Sequence, residues 1–162
     1  MLSIRAMAPA DSAAVWSILE PVLRAGETYA LPRDTSEAQA LAYWCAPAHR
    51  VFVAEDEGLI LGTYFLQANQ AGGGAHVANC GYMTAGPAQG RGVARAMLEH
   101  SLEVARAAGF RAMQFNFVVA SNERALATWQ RYGFEVVGRL PQAFEHPRLG
   151  FIDAFVMYRT LT

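Results

Sequence analysis

The segment AGPAQGRGVARAML, residues 85–98, runs a glycine turn straight into a helical pattern. Gly90 and Gly92 flank Arg91, and glycine both permits turn conformations and leaves backbone N–H groups uncovered. At a helix start those amides, together with the positive end of the helix dipole, suit an anion, most often a phosphate. A nucleotide-triphosphate loop would need a lysine and a hydroxyl where Val93 and Ala94 stand. A dinucleotide fingerprint would put Arg95 at the glycine required for close helix packing. What remains is the pattern Q-x-x-G-x-A, carried by Gln89, Gly92 and Ala94.

Other chemistry-bearing residues sit inside apolar strands. Asn79 interrupts HVANCGYM, and Gln114 and Asn116 share one face of MQFNFVV, opposite Met113, Phe115 and Phe117. Carboxamides in a covered sheet must find partners. They either bond to neighbouring backbone or solvent, or face a cleft where they orient an amine or a carbonyl. Asp153, between Ile152 and Ala154, is a strand carboxylate that is paired, edge-exposed or functional. Glu27 in GETYALP can meet a cation, and His146 and Arg148 in FEHPRLG an anion.

The elements that position these residues follow from periodicity. LSIRAM alternates as a short strand, and PADSAAVWSILEPVLRAG is a helix capped near Asp11 or Ser12 and ended by Gly26. ETYALPRDT is a loop leading to a second helix, SEAQALAYWCA. RVFVAED, GLILGTYFLQANQ and AHVANCGYMTA read as an antiparallel meander, with QAGGGAH as a connection. A third helix presents Val93, Ala94, Met97, Leu98, Leu102 and Ala105 on one face and stops at Gly109. RAMQFNFVV is a strand, SNERALATWQRYG a capped helix, and FEVVGRL and GFIDAFVMY the last strands. Strand, glycine turn, helix and strand in succession predict a parallel crossover, so the class is mixed α and β.

At 162 residues with 53% hydrophobic composition the chain has the size of a single domain, 1–162. A formal net charge of -1 gives no general pull toward nucleic acid or anionic membrane. No apolar run is long enough to span a bilayer, and the start lacks a secretory leader pattern. Cys45 and Cys80 form neither a CxxC nor a metal spacing with the histidines. The expectation is a cytoplasmic protein with reduced thiols and no metal.

With Gln89, Gly92 and Ala94 in place, the chain resembles the GCN5-related N-acetyltransferases, whose acyl-coenzyme A signature is Q/R-x-x-G-x-G/A. NERALATWQRYGF, residues 122–134, is similar to that family's N-x-x-A-x-x-x-Y/W-x-x-x-G-F segment. The resemblance implies a mixed, mostly antiparallel sheet of about seven strands flanked by about four helices. It implies acetyl-CoA as cosubstrate, with Gln89, Gly90 and the amides of Arg91, Gly92, Val93 and Ala94 around the pyrophosphate. Main-chain groups of Met83 and Ala85 would bind the pantetheine arm and thioester oxygen, and Asn122 and Trp129 would lie near the coenzyme. Trp129 stands where many relatives carry a tyrosine that protonates the departing thiolate, a task an indole cannot perform. Asn79, Asn116 and Asp153 are the candidates for catalysis. The implied reaction is acetyl transfer to the amine of a small molecule, such as an amino or imino acid. The alternatives are a protein or peptide acetyltransferase and a non-catalytic acyl-CoA binder. The resemblance implies pairing through C-terminal strands, and the apolar GFIDAFVMYRTL suits either such a homodimer or internal cover of that strand.

Overall fold

Residues 1–162 are all described by the computed structural model. Strands β1 (Ser3–Ala6), β2 (Arg50–Asp56), β3 (Leu59–Ala68), β4 (Val77–Thr84), β5 (Ala112–Val119), β6 (Glu135–His146) and β7 (Gly150–Thr160) form one sheet in the order β1-β2-β3-β4-β5-β7-β6. Helices α1 (Ser12–Ala25), α2 (Glu37–Trp44), α3 (Val93–Ala107) and α4 (Glu123–Arg131) complete it. Every strand pair is antiparallel except β4 and β5, the pair joined through α3. The expected class, meander and parallel crossover are all present. No helix is long and apolar enough to cross a membrane.

Each helix exists because one of its faces is apolar. Val15, Ile18, Leu19 and Leu23 of α1 pack with Ala40 and Trp44 of α2 against Val53, Phe65 and Met83 on one side of the sheet. On the other side, Met97, Leu98 and Leu102 of α3 and Trp129 of α4 pack against Tyr64, Cys80, Phe115 and Phe134. The alternation along β4 therefore sends Cys80 to the α3/α4 face and Met83 to the α1/α2 face. Gly26 closes α1 in the left-handed conformation, and Ser36 and Gln39 cap α2 reciprocally.

Two features bear on the site. β4 and β5 pair only at Val77 with Ala112 and at Ala78 with Met113, then part. β6 is longer than the FEVVGRL expected from sequence, reaching His146 through Pro141. It lies at the sheet edge, where a proline needs no ladder partner, and its register shifts between Leu140 and Phe144, with Gln142 at φ 51°.

Candidate active site

The parting of β4 and β5 opens a fork in the sheet, and Asn79 sits at its base. Its Nδ2 donates to the Gln114 carbonyl at 3.0 Å, and its Oδ1 accepts from Gln67 at 3.3 Å. Gln114 in turn donates to Asn116, and Asn116 donates to Asn69 at 2.6 Å. The amides singled out in the sequence thus form a ladder across β3, β4 and β5.

The main-chain groups facing the fork follow from register. Val77 accepts from Asn69 N–H and Ala85 donates to the Leu61 carbonyl, with unbroken β3–β4 pairing between them. Odd-numbered residues of β4 therefore direct their polar backbone groups to β3, and Cys80, Tyr82 and Thr84 direct theirs into the fork. This corrects the expectation for Met83 and Ala85 by one residue: the Ala85 N–H is taken by Leu61, and Met83 shares its orientation. Tyr29 donates its hydroxyl to the Tyr82 carbonyl at 3.0 Å. Gly81 packs so closely under Phe65 and Tyr29 that a Cβ there would collide with the Phe65 ring.

Beyond β4 the glycine turn delivers the chain to α3. Gly92 is the N-cap at φ 80°, ψ 9°, and open space surrounds the position a Cβ would take. The first bond into the helix runs from Ala96 N–H to the Gly92 carbonyl at 3.0 Å, which leaves the N–H groups of Val93, Ala94 and Arg95 at the open end. The Arg91 amide, expected among them, instead donates to the Ala88 carbonyl at 3.2 Å. Its guanidinium stands 3.7 Å from Asp56, turned away from the cleft.

Fork and helix entrance belong to one cleft of about 830 Å³. Gln89, Gly90, Gly92, Val93, Ala94, Asn122 and Trp129 line one end, and Asn79, Met83 and Asn116 lie along it. Arg91, Ala85 and Asp153 are outside the lining. The model of the Acetyltransferase (GNAT) family matches residues 14–134 of the chain. The chain belongs to the GNAT family. A solved GCN5-related N-acetyltransferase from Kribbella flavida is 40% identical with a TM-score of 0.94, over 98% of this chain and 97% of that one. A phosphinothricin acetyltransferase from Sinorhizobium meliloti, solved in complex with AcCoA, is 21% identical with a TM-score of 0.85, over 98% of this chain and 88% of that one. The N-acetyltransferase aca1 of Schizosaccharomyces pombe is 26% identical over 98 residues, 60% of this chain. That alignment spans 47% of the relative's own length.

In this GNAT-family chain, Asn122 caps α4, its Oδ1 accepting from Ala125 N–H at 3.4 Å, while its position also lines the cleft. Trp129 is buried against Tyr82 and Phe115, with ring centroids 5.2 and 5.1 Å away. Tyr132, one turn on, donates its hydroxyl to Glu99, which also pairs with Arg95. Arg95, Arg124 and Arg131 line the α3/α4 end, a charge cluster that sequence reasoning passed over. The spacing of Arg124 and Arg131, two turns along one helix face, was the available signal.

Asp153 faces the β6–β7 hairpin instead. Its carboxylate accepts from Gln142 N–H at 2.9 Å and pairs with Arg139 at 3.0 Å, and those two partners hold its pKa below the usual carboxylate value. Glu27 and Arg148, read separately as charges for a substrate, meet each other at 2.8 Å. His146 is buried and its Nδ1 accepts from the Arg148 and Leu149 amides, which makes it the fastener of the β6–β7 turn.

Proposed function

We propose that this GNAT acetyltransferase uses acetyl-CoA to acetylate the amine of a small molecule, an amino or imino acid being the class suggested by the family resemblance. The observation that carries the acetyl-CoA assignment is the continuity of the cleft from the open α3 amides to the split strands. In this reading Gly90, Gly92, Val93 and Ala94 present backbone to the pyrophosphate, with Gln89 at the entrance. Arg95, Arg124 and Arg131 meet further phosphate charge. The fork-facing groups of Cys80, Tyr82 and Thr84 take the arm and the thioester oxygen. The AcCoA complex of the Sinorhizobium meliloti relative supports the choice of ligand.

The Glu27–Arg148 pair favours a small acceptor over a protein chain. It ties the α1–α2 loop to the β6–β7 turn, across the side where an extended peptide would need an open groove. In this reading Asn79 and Asn116 orient the acceptor, and Asp153 holds the hairpin that frames it. Free thiols at Cys45 and Cys80 suit a cytoplasmic protein. The exposed Val136, Val137 and Phe151 on the terminal hairpin favour pairing with a second copy, which sedimentation would reveal.

The test is acetyl-CoA-dependent release of free thiol across amino acids, imino acids, polyamines, aminoglycosides and short peptides, with an amine-free control. Turnover confined to peptides would replace the small-molecule reading. Binding of acetyl-CoA with no turnover on any amine would leave a coenzyme-binding module.

A further inference from the structure

The cleft carries charge at one end only. Its charged lining side chains are Arg95, Arg124 and Arg131, all on α3 and α4. The other end is walled by Tyr29, Leu31, Tyr43 and Phe65, with the carboxamides of Asn79 and Asn116 beside them. Neither a carboxylate nor an imidazole belongs to the lining. Glu27 adjoins the lining residue Thr28 in sequence, but its carboxylate is held by Arg148. Burial raises the Tyr29, Tyr43 and Tyr82 phenols and the Cys80 thiol, and Glu99 raises the Tyr132 phenol, so all stay protonated near neutrality and are not bases. Carboxamides are not bases at any ordinary pH. No side chain in this cleft is equipped to deprotonate an ammonium ion.

The leaving-group side has the matching deficiency. Trp129 occupies the place of a phenol, the Tyr132 hydroxyl is committed to Glu99, and the Tyr82 hydroxyl is paired with Ser101 at 2.6 Å. A site without a base and without a free acid is consistent if the proton never passes through the protein.

Resting on the acetyltransferase reading above, and narrowing its amino- or imino-acid class by excluding the strongly basic imino acids, we infer that the acceptor is a weakly basic primary amine with an apolar body, which enters uncharged and gives its own surplus proton to the departing sulfur. The nitrogen lone pair forms the C–N bond to the acetyl carbon, and the C–S bond breaks with its electron pair on sulfur. The proton lost from nitrogen converts the thiolate to the free thiol. Amide and thiol are the products, and the enzyme ends with the protons it began with. A thiolate whose thiol has a pKa of about 8.5 is an adequate acceptor for that proton.

Selectivity follows from the acceptor's own basicity. An α-amine beside a carbonyl has a pKa of about 7.7–8.0 and an alkylamine about 10.4, so at pH 7 the uncharged fraction of the first is roughly 300-fold larger. Polycations are disfavoured further, because the lining offers arginines and no carboxylates. Tyr29, Leu31, Tyr43 and Phe65 suit an aromatic or aliphatic body. An amine next to a carboxamide and an arylamine share this chemistry.

The experiment compares phenylalaninamide, 2-phenylethylamine and p-toluidine, three amines of similar body and different basicity, with kcat/KM measured from pH 6 to 10. Acetyl-CoA binding is followed by calorimetry over the same range. At pH 7 phenylalaninamide is expected to exceed 2-phenylethylamine by about 100-fold or more, each profile rising tenfold per pH unit to the acceptor's own pKa. p-Toluidine separates the two sources: its turnover assigns the site to arylamines, its inertness beside an active phenylalaninamide to amines flanked by a carbonyl. Equal rates for the first two amines at pH 7, or an inflection at one pH for all acceptors, would reveal an enzyme base and overturn the inference alone. Bound acetyl-CoA with no turnover of any amine at any pH overturns the acetyltransferase reading, and the inference with it.

Discussion

Asn79 Nδ2 donates to the Gln114 carbonyl at 3.0 Å, one residue past the Ala78–Met113 pair that ends the parallel ladder. The side chain replaces a backbone bond at the point where two strands separate, so it sets where the fork begins. Asn79→Asp keeps an acceptor for Gln67 but turns a carboxylate toward a carbonyl oxygen. Such a loss costs about 1–3 kcal/mol. Acetyl-CoA affinity, measured by calorimetry, is expected to fall about tenfold or more. Asn79→Asp with unchanged affinity and unchanged melting temperature would show that the fork does not depend on this bond.

Gly92 takes a left-handed conformation with free space around it, so substitution tests charge and strain rather than packing. Gly92→Ala is expected to cost about 1 kcal/mol of stability through its positive φ. Gly92→Glu adds a carboxylate at the helix entrance and is expected to weaken acetyl-CoA binding far more than the alanine variant does. Equal affinities for the two variants would remove the pyrophosphate from this turn.

Trp129 packs tilted against the sheet aromatics Tyr82 and Phe115. Trp129→Ala opens a cavity in the α3/α4 core and is expected to cost about 3–5 kcal/mol in chemical denaturation. Trp129→Phe keeps most of the volume and is expected to retain both fold and turnover, because the indole has no proton-transfer task. Loss of kcat in a well-folded Trp129→Phe would give the indole a chemical role.

Asp153 titrates below its ordinary pKa in the folded protein because the Gln142 amide and Arg139 favour its charged form. A lowered folded-state pKa contributes stability above the unfolded-state value, and that contribution disappears as pH falls through the folded-state value. Asp153→Asn is therefore expected to flatten the acid limb of the stability profile below about pH 4. Acetyl transfer near neutrality should persist, since the carboxylate lies outside the cleft lining. An inactive but folded Asp153→Asn would return this residue to catalysis.

The fold was legible where local pattern and tertiary context agree. The apolar face of α3, the Gly26 and Gly109 stops and the Asn122 cap are encoded within a few residues of where they act. The one-residue error at Met83 and Ala85 has a different origin. Which backbone groups of β4 face the fork depends on its register with β3, and nothing inside β4 records that register. Pairings between distant loops were equally hidden: Glu27 and Arg148 each look like a free charge until the chain brings them together. Asn79 and Asn116 were visible as polar intrusions, but their shared ladder needs three strands side by side. β6 ran past Pro141 because the edge position and a bulge tolerate a residue that would end an interior strand.

A sheet whose leaves β1–β4 and β5–β7 share only two residue pairs concentrates its backbone flexibility at one seam. Any widening of the cleft would bend the sheet there first, against the packing of Tyr82, Phe115 and Trp129 that spans the seam. Hydrogen exchange at the Ala78 and Met113 positions would report the integrity of the whole hinge. An acetyl-CoA arm lying between the leaves would act as a strut, adding to the aromatic packing and carboxamide bonds that already tie the two halves together.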